Sequence, residues 1–585
     1  MRCIQMVDPE LNIANSQAGK EILANAEAAN VVEPEQFGCR KRHKALTACL
    51  CKVLLTDIFR QKRHAGAFAM NDAKGRFDRI HHVVAILVLM SFGLSWLPAK
   101  ILFEALQLAE HRIKTGYGVS GHVYGNSIIP EMGTGQENSV GHTTWILISC
   151  IMIRVMKKRG HGVDMLSSLS LSLISIACFS YVDDTDLPIS GKHRTTTGEE
   201  LQIPFQNALT AWSKLLCVTG GELAGAKSWC YIIDFEWNGN KWIYRDIEDM
   251  EGSYYLLDKN DEKQDLQRYE VSKGSETLGI FIAMDGNNED QRLNLRSKAE
   301  KFGEQINTSH CEPNEAIYMY NHCFIKSMEY CMPVTCFTED EWNNIVAPAK
   351  KRTLQKAGMA ANFPLSSLYG SQTYNGFCFD HPYTKQGIEK ISVLIQESID
   401  HSQAGNLIKA TGEALRLELG FNMTMDLIPW IKVKSYLTEC WYRHLIEFVH
   451  ETNNPKHLRQ TPTNPTKTIE IIEDFVQMPI LRKGDVFIMQ AFIRANIPVK
   501  DLYILNIMRM SIKALSLADI ATPDGKYITS QAWDLISSNN LRNQYDWPRK
   551  PTNFTQYQVD LWRDAIKKTF IENNNNNKKI RYLFS

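Results

Sequence analysis

Residues 177 to 187, reading Ala-Cys-Phe-Ser-Tyr-Val-Asp-Asp-Thr-Asp-Leu, constrain the chain more than any other stretch, because Asp183 and Asp184 form the polar tip of two apolar, strand-like segments. Adjacent carboxylates oppose each other's ionisation, and a divalent cation removes that cost. The reading is a tight hairpin presenting a Mg²⁺ site; a solvated turn between two strands is the alternative.

A second acid strengthens the metal reading. Ala65 to Met70 is a short run of small and apolar residues that predicts a strand ending at Asn71 and Asp72. One acid at a strand end, joined by acids from a neighbouring hairpin, is what two-metal phosphoryl transfer requires. Two Mg²⁺ ions about 3.5–4 Å apart, with Mn²⁺ as a substitute, activate the attacking 3′-hydroxyl and steady the leaving pyrophosphate. Asp72 and Asp183 suit the bridging role, with Asp184 behind them.

Other motifs follow in order: Asp72 with Phe77 five positions on, Gly133-Thr134-Gly135-Gln136, Tyr181-Val182-Asp183-Asp184, Gly220-Gly221 followed by Lys227, and Thr277-Leu278-Gly279-Ile280. In this order they resemble the palm motifs of reverse transcriptases, in particular the non-LTR retrotransposon branch. The similarity extends upstream to Arg2-Cys3-Ile4 and to Glu35-Gln36-Phe37-Gly38-Cys39-Arg40-Lys41. It runs to about residue 340; beyond that there is a general likeness to the tails of algal retroelement proteins.

The resemblance implies an α+β, right-hand polymerase fold with fingers, a palm built on an antiparallel sheet, a helical thumb and a mainly helical C-terminal region. It implies an RNA-directed DNA polymerase using dNTPs on an RNA or DNA template with a primer. Asp72, Asp183 and Asp184 would be the metal-binding and catalytic triad, and Lys227 the proton donor to pyrophosphate. Phe77 would lie under the sugar and exclude a 2′-hydroxyl. Gln136 and Tyr181 would face template and nucleotide, while Arg40, Lys41 and Arg2 would hold phosphates.

The chain departs from that pattern in its middle loop. The family has Gln-Gly followed by Ser-Pro, whereas this chain reads Gln136-Glu137-Asn138-Ser139-Val140-Gly141-His142. Glu137 puts a carboxylate where glycine allows close approach of an anionic nucleotide. A catalytically inactive, nucleic-acid-binding remnant is therefore the alternative function, with a membrane-associated scaffold as a third. The match starts at the first fingers motif, which implies that an upstream fingers extension or endonuclease domain is missing. No zinc knuckle or ribonuclease H signature occurs.

At 585 residues, 44% hydrophobic and 22% charged, the chain can bury a large core. Formal net charge is zero, so any nucleic-acid surface must be local. Arg40, Lys41, Arg42, Lys44, Lys52, Arg60, Lys62 and Arg63 face only Asp57 in their stretch, and Arg154, Lys157, Lys158 and Arg159 form a second cluster. Solvated helix faces are the alternative reading of the second. Fourteen cysteines show no disulfide framework or zinc spacing, which predicts reduced thiols in an intracellular protein, nuclear or cytoplasmic, without a disulfide-linked partner.

The apolar runs Val83 to Leu97 and Met165 to Phe179 raise the question of a membrane. The first is shorter than the ~20 residues a span needs, and the second is broken by serines at 167, 168, 170, 172 and 175. Both read as core, and Asp8 and Glu10 interrupt any signal peptide.

The expected organisation is fingers over 1–64, palm with inserted fingers helices over 65–285, a thumb-like helical region over 286–400 and a helical region with a polar tail over 401–585. Helices are expected at 80–93 and 98–114, the latter with Ile101, Leu102, Ala105, Leu108 and Ala109 on its buried face, and at 146–156 and 205–219. Tyr231, Ile233, Phe235 and Trp237 alternate along a strand, turn at Asn238-Gly239-Asn240 and return through Trp242 and Tyr244. Thr452 to Lys467, with three prolines, reads as a linker, and Asn573 to Arg581 as a solvated tail.

Overall fold

A computed structural model describes residues 8–41, 43–73, 76–108, 112–123, 133–135, 138–400, 402–422, 427–452, 481–536, 544–571 and 580. The linker and tail predicted at 452–467 and 573–581 fall almost wholly outside these residues. So do Arg2, Gln136 and Glu137.

A six-stranded sheet organises the N-terminal half: β1 (Gly66–Asn71), β2 (Phe179–Tyr181), β3 (Asp184–Ser190), β4 (Trp229–Ile233), β5 (Tyr254–Leu257) and β6 (Lys263–Arg268). Their spatial order is β5-β6-β4-β1-β3-β2. Neighbours are antiparallel except β6 and β4, which pair in parallel. β1 lies in the middle and is buried along its whole length, which explains its unbroken run of small and apolar residues.

Because side chains alternate across a strand, β1 feeds two cores. Phe68 and Met70 join Tyr231 and Ile233 on one face, under α2 (Ala45–Lys62). Ala67 and Ala69 join Cys230, Ile232, Leu187 and Ile189 on the other, under α3 (Ser139–Lys158) and α4 (Gln202–Val218). The first core continues without interruption through α5 (Glu289–Thr308), α6 (Glu339–Lys356), α7 (Gln403–Leu419) and α8 (Trp441–Thr452) to Ile580. The expected boundaries at 64, 285 and 400 are therefore not breaks in packing. The fold is mixed helix and sheet, with the sheet confined to the first half.

Several expectations need correction. The segment expected as a helix over 98–114 is helical over Trp96–Gln107, and a two-residue strand begins at Lys114. It buries Ala99, Phe103 and Leu106 and leaves Ile101 and Leu108 exposed, because the Phe103 ring is drawn onto His82, 5.1 Å away. Val83 to Leu97 is a ten-residue helix, His82–Ser91, followed by a turn, with Val83 and Leu87 exposed. Met165 to Phe179 contains most of a hairpin whose turn holds Ser167, Ser168, Ser170 and Ser172, while Ser175 lies in the second strand opposite Asp164. Glu413 of α7 accepts hydrogen bonds from the Leu169 and Ser170 amides and the Ser170 hydroxyl. One helix among the described residues, α3, is long and apolar enough to cross a membrane, and 72% of its most apolar window is buried.

The aromatic hairpin forms between Phe235–Trp237 and Trp242–Tyr244, with Trp237 opposite Trp242. It separates from β4 at Asp234, a buried carboxylate that accepts from the Gly198 amide, Arg245 and Arg549. The basic stretch at 40–63 is largely interior. Lys52 pairs with Asp186, Arg60 with Asp57 and Lys62 with Asp546, and each of the three bases is buried. Charges packed inside a core need partners; Arg60 finds the local Asp57, and long-range folding supplies acids to Lys52 and Lys62.

Candidate active site

Two backbone features bring the acids together. β1 ends at Asn71, opposite Thr185 of β3, so Asp72 emerges beside the turn that joins β2 to β3. That turn is very tight: Tyr181 pairs with Asp184, leaving Val182 and Asp183 at the tip. One oxygen from each of Asp72, Asp183 and Asp184 lies within 4.8 Å of the others, and this is the one such group of acids, histidines and cysteines among the described residues. Three carboxylates offer hard oxygen donors suited to Mg²⁺ or Mn²⁺. Asp72 is held from both sides: its carbonyl accepts from the Ala224 amide at 2.9 Å, and its amide donates to Ser228 Oγ at 3.3 Å.

A cleft of about 110 Å³ opens over Asp72 and Asp184, lined also by Tyr181, Asp186, Lys227, Trp229, Thr277 and Leu278; Asp183 is not among its lining residues. Lys227 is 76% exposed and its Nζ is 3.7 Å from Asp72 Oδ2. Thr277 and Leu278 come from a separate hairpin, Ser275–Thr277 with Ile280–Ile282. Its two-residue turn has positive φ at both Leu278 and Gly279, the geometry for which glycine is favoured. A larger cavity of about 420 Å³, bordered by Asp57, Arg60, Cys336 and His444, shares no lining residue with the carboxylate cleft.

The other expected site residues have mixed positions. Tyr181 borders the cleft. Phe77 does not: it is 4% exposed, with its ring 5.0 Å from that of His142. Arg40 is drawn into the protein, its Nε donating to Glu27 Oε1 and its Nη1 to the Glu33 and Gln36 carbonyls. Lys41 is exposed. Gln136 and Arg2 lie outside the described residues, although the flanking Gly133 and Asn138 are held by Phe77, Ile80 and Asn15.

Sequence reasoning missed two features. Lys52 Nζ sits 3.0 Å from Asp186 Oδ2 and 2.7 Å from Thr277 Oγ1, tying strand β3 to the 275–282 hairpin at the floor of the cleft. Gln36 and Trp145 both bond the backbone of Val182. Neither was visible locally, since the partners lie between 37 and 225 positions apart. Among the described residues the cysteines are free thiols, and burial pushes the thiols of Cys49 and Cys150 up to about 12 and about 11, which makes them inert.

No protein-family model and no curated protein matches the chain. Among solved structures, it is similar to telomerase from Candida albicans in complex with a TWJ fragment of telomeric RNA, with 11% identity and a TM-score of 0.33, over 71% of this chain and 57% of that one. Telomerase from Candida tropicalis in complex with a TWJ fragment of telomeric RNA gives 9% and 0.23, over 60% and 51%. The chain thus spans little more than half the length of these structures, and the likeness is loose.

Proposed function

We propose that this chain is an RNA-directed DNA polymerase of reverse-transcriptase type and non-LTR retrotransposon origin, acting inside the cell. The single observation that carries the reading is the meeting of Asp72 with Asp183 and Asp184, residues more than a hundred positions apart, within 4.8 Å. Motif order supports it: the Lys227 and Thr277–Leu278 segments border the same cleft. In this reading the β1–β6 sheet is the palm and the helices from Glu289 onward begin the thumb.

Asp72, Asp183 and Asp184 would hold two Mg²⁺ ions, which when bound lower the pKa of the primer hydroxyl and neutralise charge on the leaving pyrophosphate. Lys227, exposed at the rim and 3.7 Å from Asp72 Oδ2, would give a proton to the departing pyrophosphate and meanwhile offset the charge of Asp72. Lys41 is exposed and free to meet template phosphates, while Arg40 orders the loop that carries it. A second reading, a silent nucleic-acid-binding remnant, is favoured by Glu137 in the middle loop.

Primer extension on poly(rA)/oligo(dT) with dTTP and Mg²⁺ separates the two. The polymerase reading expects metal-dependent product from the native chain and at least a 10²-fold loss in Asp183→Asn, since that carboxylate would hold the ions on which the step depends. No product from either chain, with RNA still bound, refutes the enzyme in favour of the remnant.

A further inference from the structure

The aspartate turn depends on an unusual residue. Val182 has φ +60°, in the left-handed region that a β-branched side chain rarely adopts. Such a residue is strained and persists only where its surroundings over-determine it. Both polar groups of Val182 are taken by side chains from outside the hairpin. Its amide donates to Gln36 Oε1 at 3.2 Å, and its carbonyl accepts from the Trp145 indole N–H.

Gln36 is itself fully fixed. It is 0% exposed; its Nε2 donates to Ser149 Oγ at 2.7 Å and Ser180 Oγ at 3.1 Å, and its Oε1 also accepts from the Gly38 amide at 2.9 Å. The segment around it runs alongside β2: the Ser180 amide donates to the Glu35 carbonyl and the Phe37 amide to the Ser180 carbonyl. Gly38 passes so close that a Cβ there would lie 2.4 Å from the Val182 nitrogen. Only glycine allows that approach without displacing backbone.

We propose that Gln36 and Trp145 are positioning residues that lock Val182 in its left-handed conformation and thereby aim the Asp183 and Asp184 carboxylates at Asp72. The inference rests on the proposed metal role of the three acids and deepens it. Gln36 links the turn to the Arg40–Lys41 loop, and Trp145 links it to α3, so each side of the turn is set by a separate element. Released from either bond, Val182 can leave the left-handed region, the tight turn opens, and the acids lose their common focus.

The test uses the full chain carrying Gln36→Met, which keeps shape and removes every hydrogen bond of the carboxamide, and Trp145→Phe, which removes the indole N–H. Mn²⁺ binding is followed by electron paramagnetic resonance, with Asp183→Asn as the control, and thermal unfolding checks that each variant is folded. Each variant is expected to weaken Mn²⁺ binding about 10–100-fold, the range seen when groups that orient metal ligands are removed. The double variant should lose less than the product of the two, since both bonds hold one residue, Val182. In primer extension the Mg²⁺ concentration for half-maximal rate should rise in step while the KM for template stays unchanged. Folded variants with native Mn²⁺ affinity overturn the positioning role. If the native chain binds Mn²⁺ through Asp183 but extends no primer, with the variants still weaker, the polymerase reading fails and the positioning role stands. If Mn²⁺ binding is unaffected by Asp183→Asn, both fail.

Discussion

Replacing Lys52 by methionine removes the cation from a largely buried ion pair at the floor of the carboxylate cleft. Lys52 Nζ lies 3.0 Å from Asp186 Oδ2, with the lysine side chain 0% exposed and the aspartate 12%. Methionine fills most of the lysine's volume but leaves Asp186 facing apolar atoms. Breaking one half of a buried pair costs about 3–5 kcal/mol, because the surviving charge is uncompensated. The lost bond to Thr277 Oγ1 adds roughly 1 kcal/mol, and water reaching the partly exposed carboxylate relieves a similar amount, so we expect a loss of about 3–5 kcal/mol. Lys52→Met combined with Asp186→Leu removes both charges and should recover most of it, to within about 1 kcal/mol of the native chain. Urea unfolding followed by tryptophan fluorescence reads both, and the single variants with the double complete a cycle. A Lys52→Met loss below about 0.5 kcal/mol, or a double variant worse than the single, would show that the pair is not what stabilises this floor and would refute the reasoning.

Three further outcomes follow from single contacts. Burial lowers the His64 imidazole from its ordinary 6.5 to about 4, with its Nε2 2.8 Å from the Gly191 carbonyl. Between those values the unfolded chain binds a proton that the folded chain does not, so stability is complete above pH 6.5 and falls by roughly 3 kcal/mol as pH drops toward 4; His64→Gln should flatten that part of a pH series of urea midpoints. Glu413→Ala takes the acceptor from the Leu169 and Ser170 amides and should cost about 2–3 kcal/mol, with faster hydrogen exchange confined at first to residues 167–172. Thr338→Ala opens the capping box that Thr338 and Glu341 form at the start of α6 and should cost about 1 kcal/mol by the same urea assay.

Local pattern made some of this protein legible. The apolar run before Asp72, the aspartate hairpin, the Trp237–Trp242 hairpin and the long apolar helix after the Gln136 loop are written in residue periodicity, and each forms close to its expected place. The three acids were legible as candidates, because adjacent aspartates at a strand tip repel each other and a cation would relieve that cost. Chain order could not say that Arg40 would be spent on Glu27 and two carbonyls, that Phe77 would face His142 inside a core, or that Lys52, Arg60 and Lys62 would be interior. A charged residue's surroundings depend on which distant acid folds against it, and nothing within a few positions of Lys62 announces Asp546.

The amino-acid order by itself determined which segments become strands and helices and which carboxylates stand at their ends, since backbone preference and apolar spacing act over a few residues. Only the tertiary structure decided that Asp72 meets Asp183 and Asp184, and that Gln36 and Trp145 grip the peptide between Tyr181 and Asp183. Those contacts join residues about 37 to 146 positions apart, and they exist because burying both faces of one sheet leaves few ways to bring its edges and helices together.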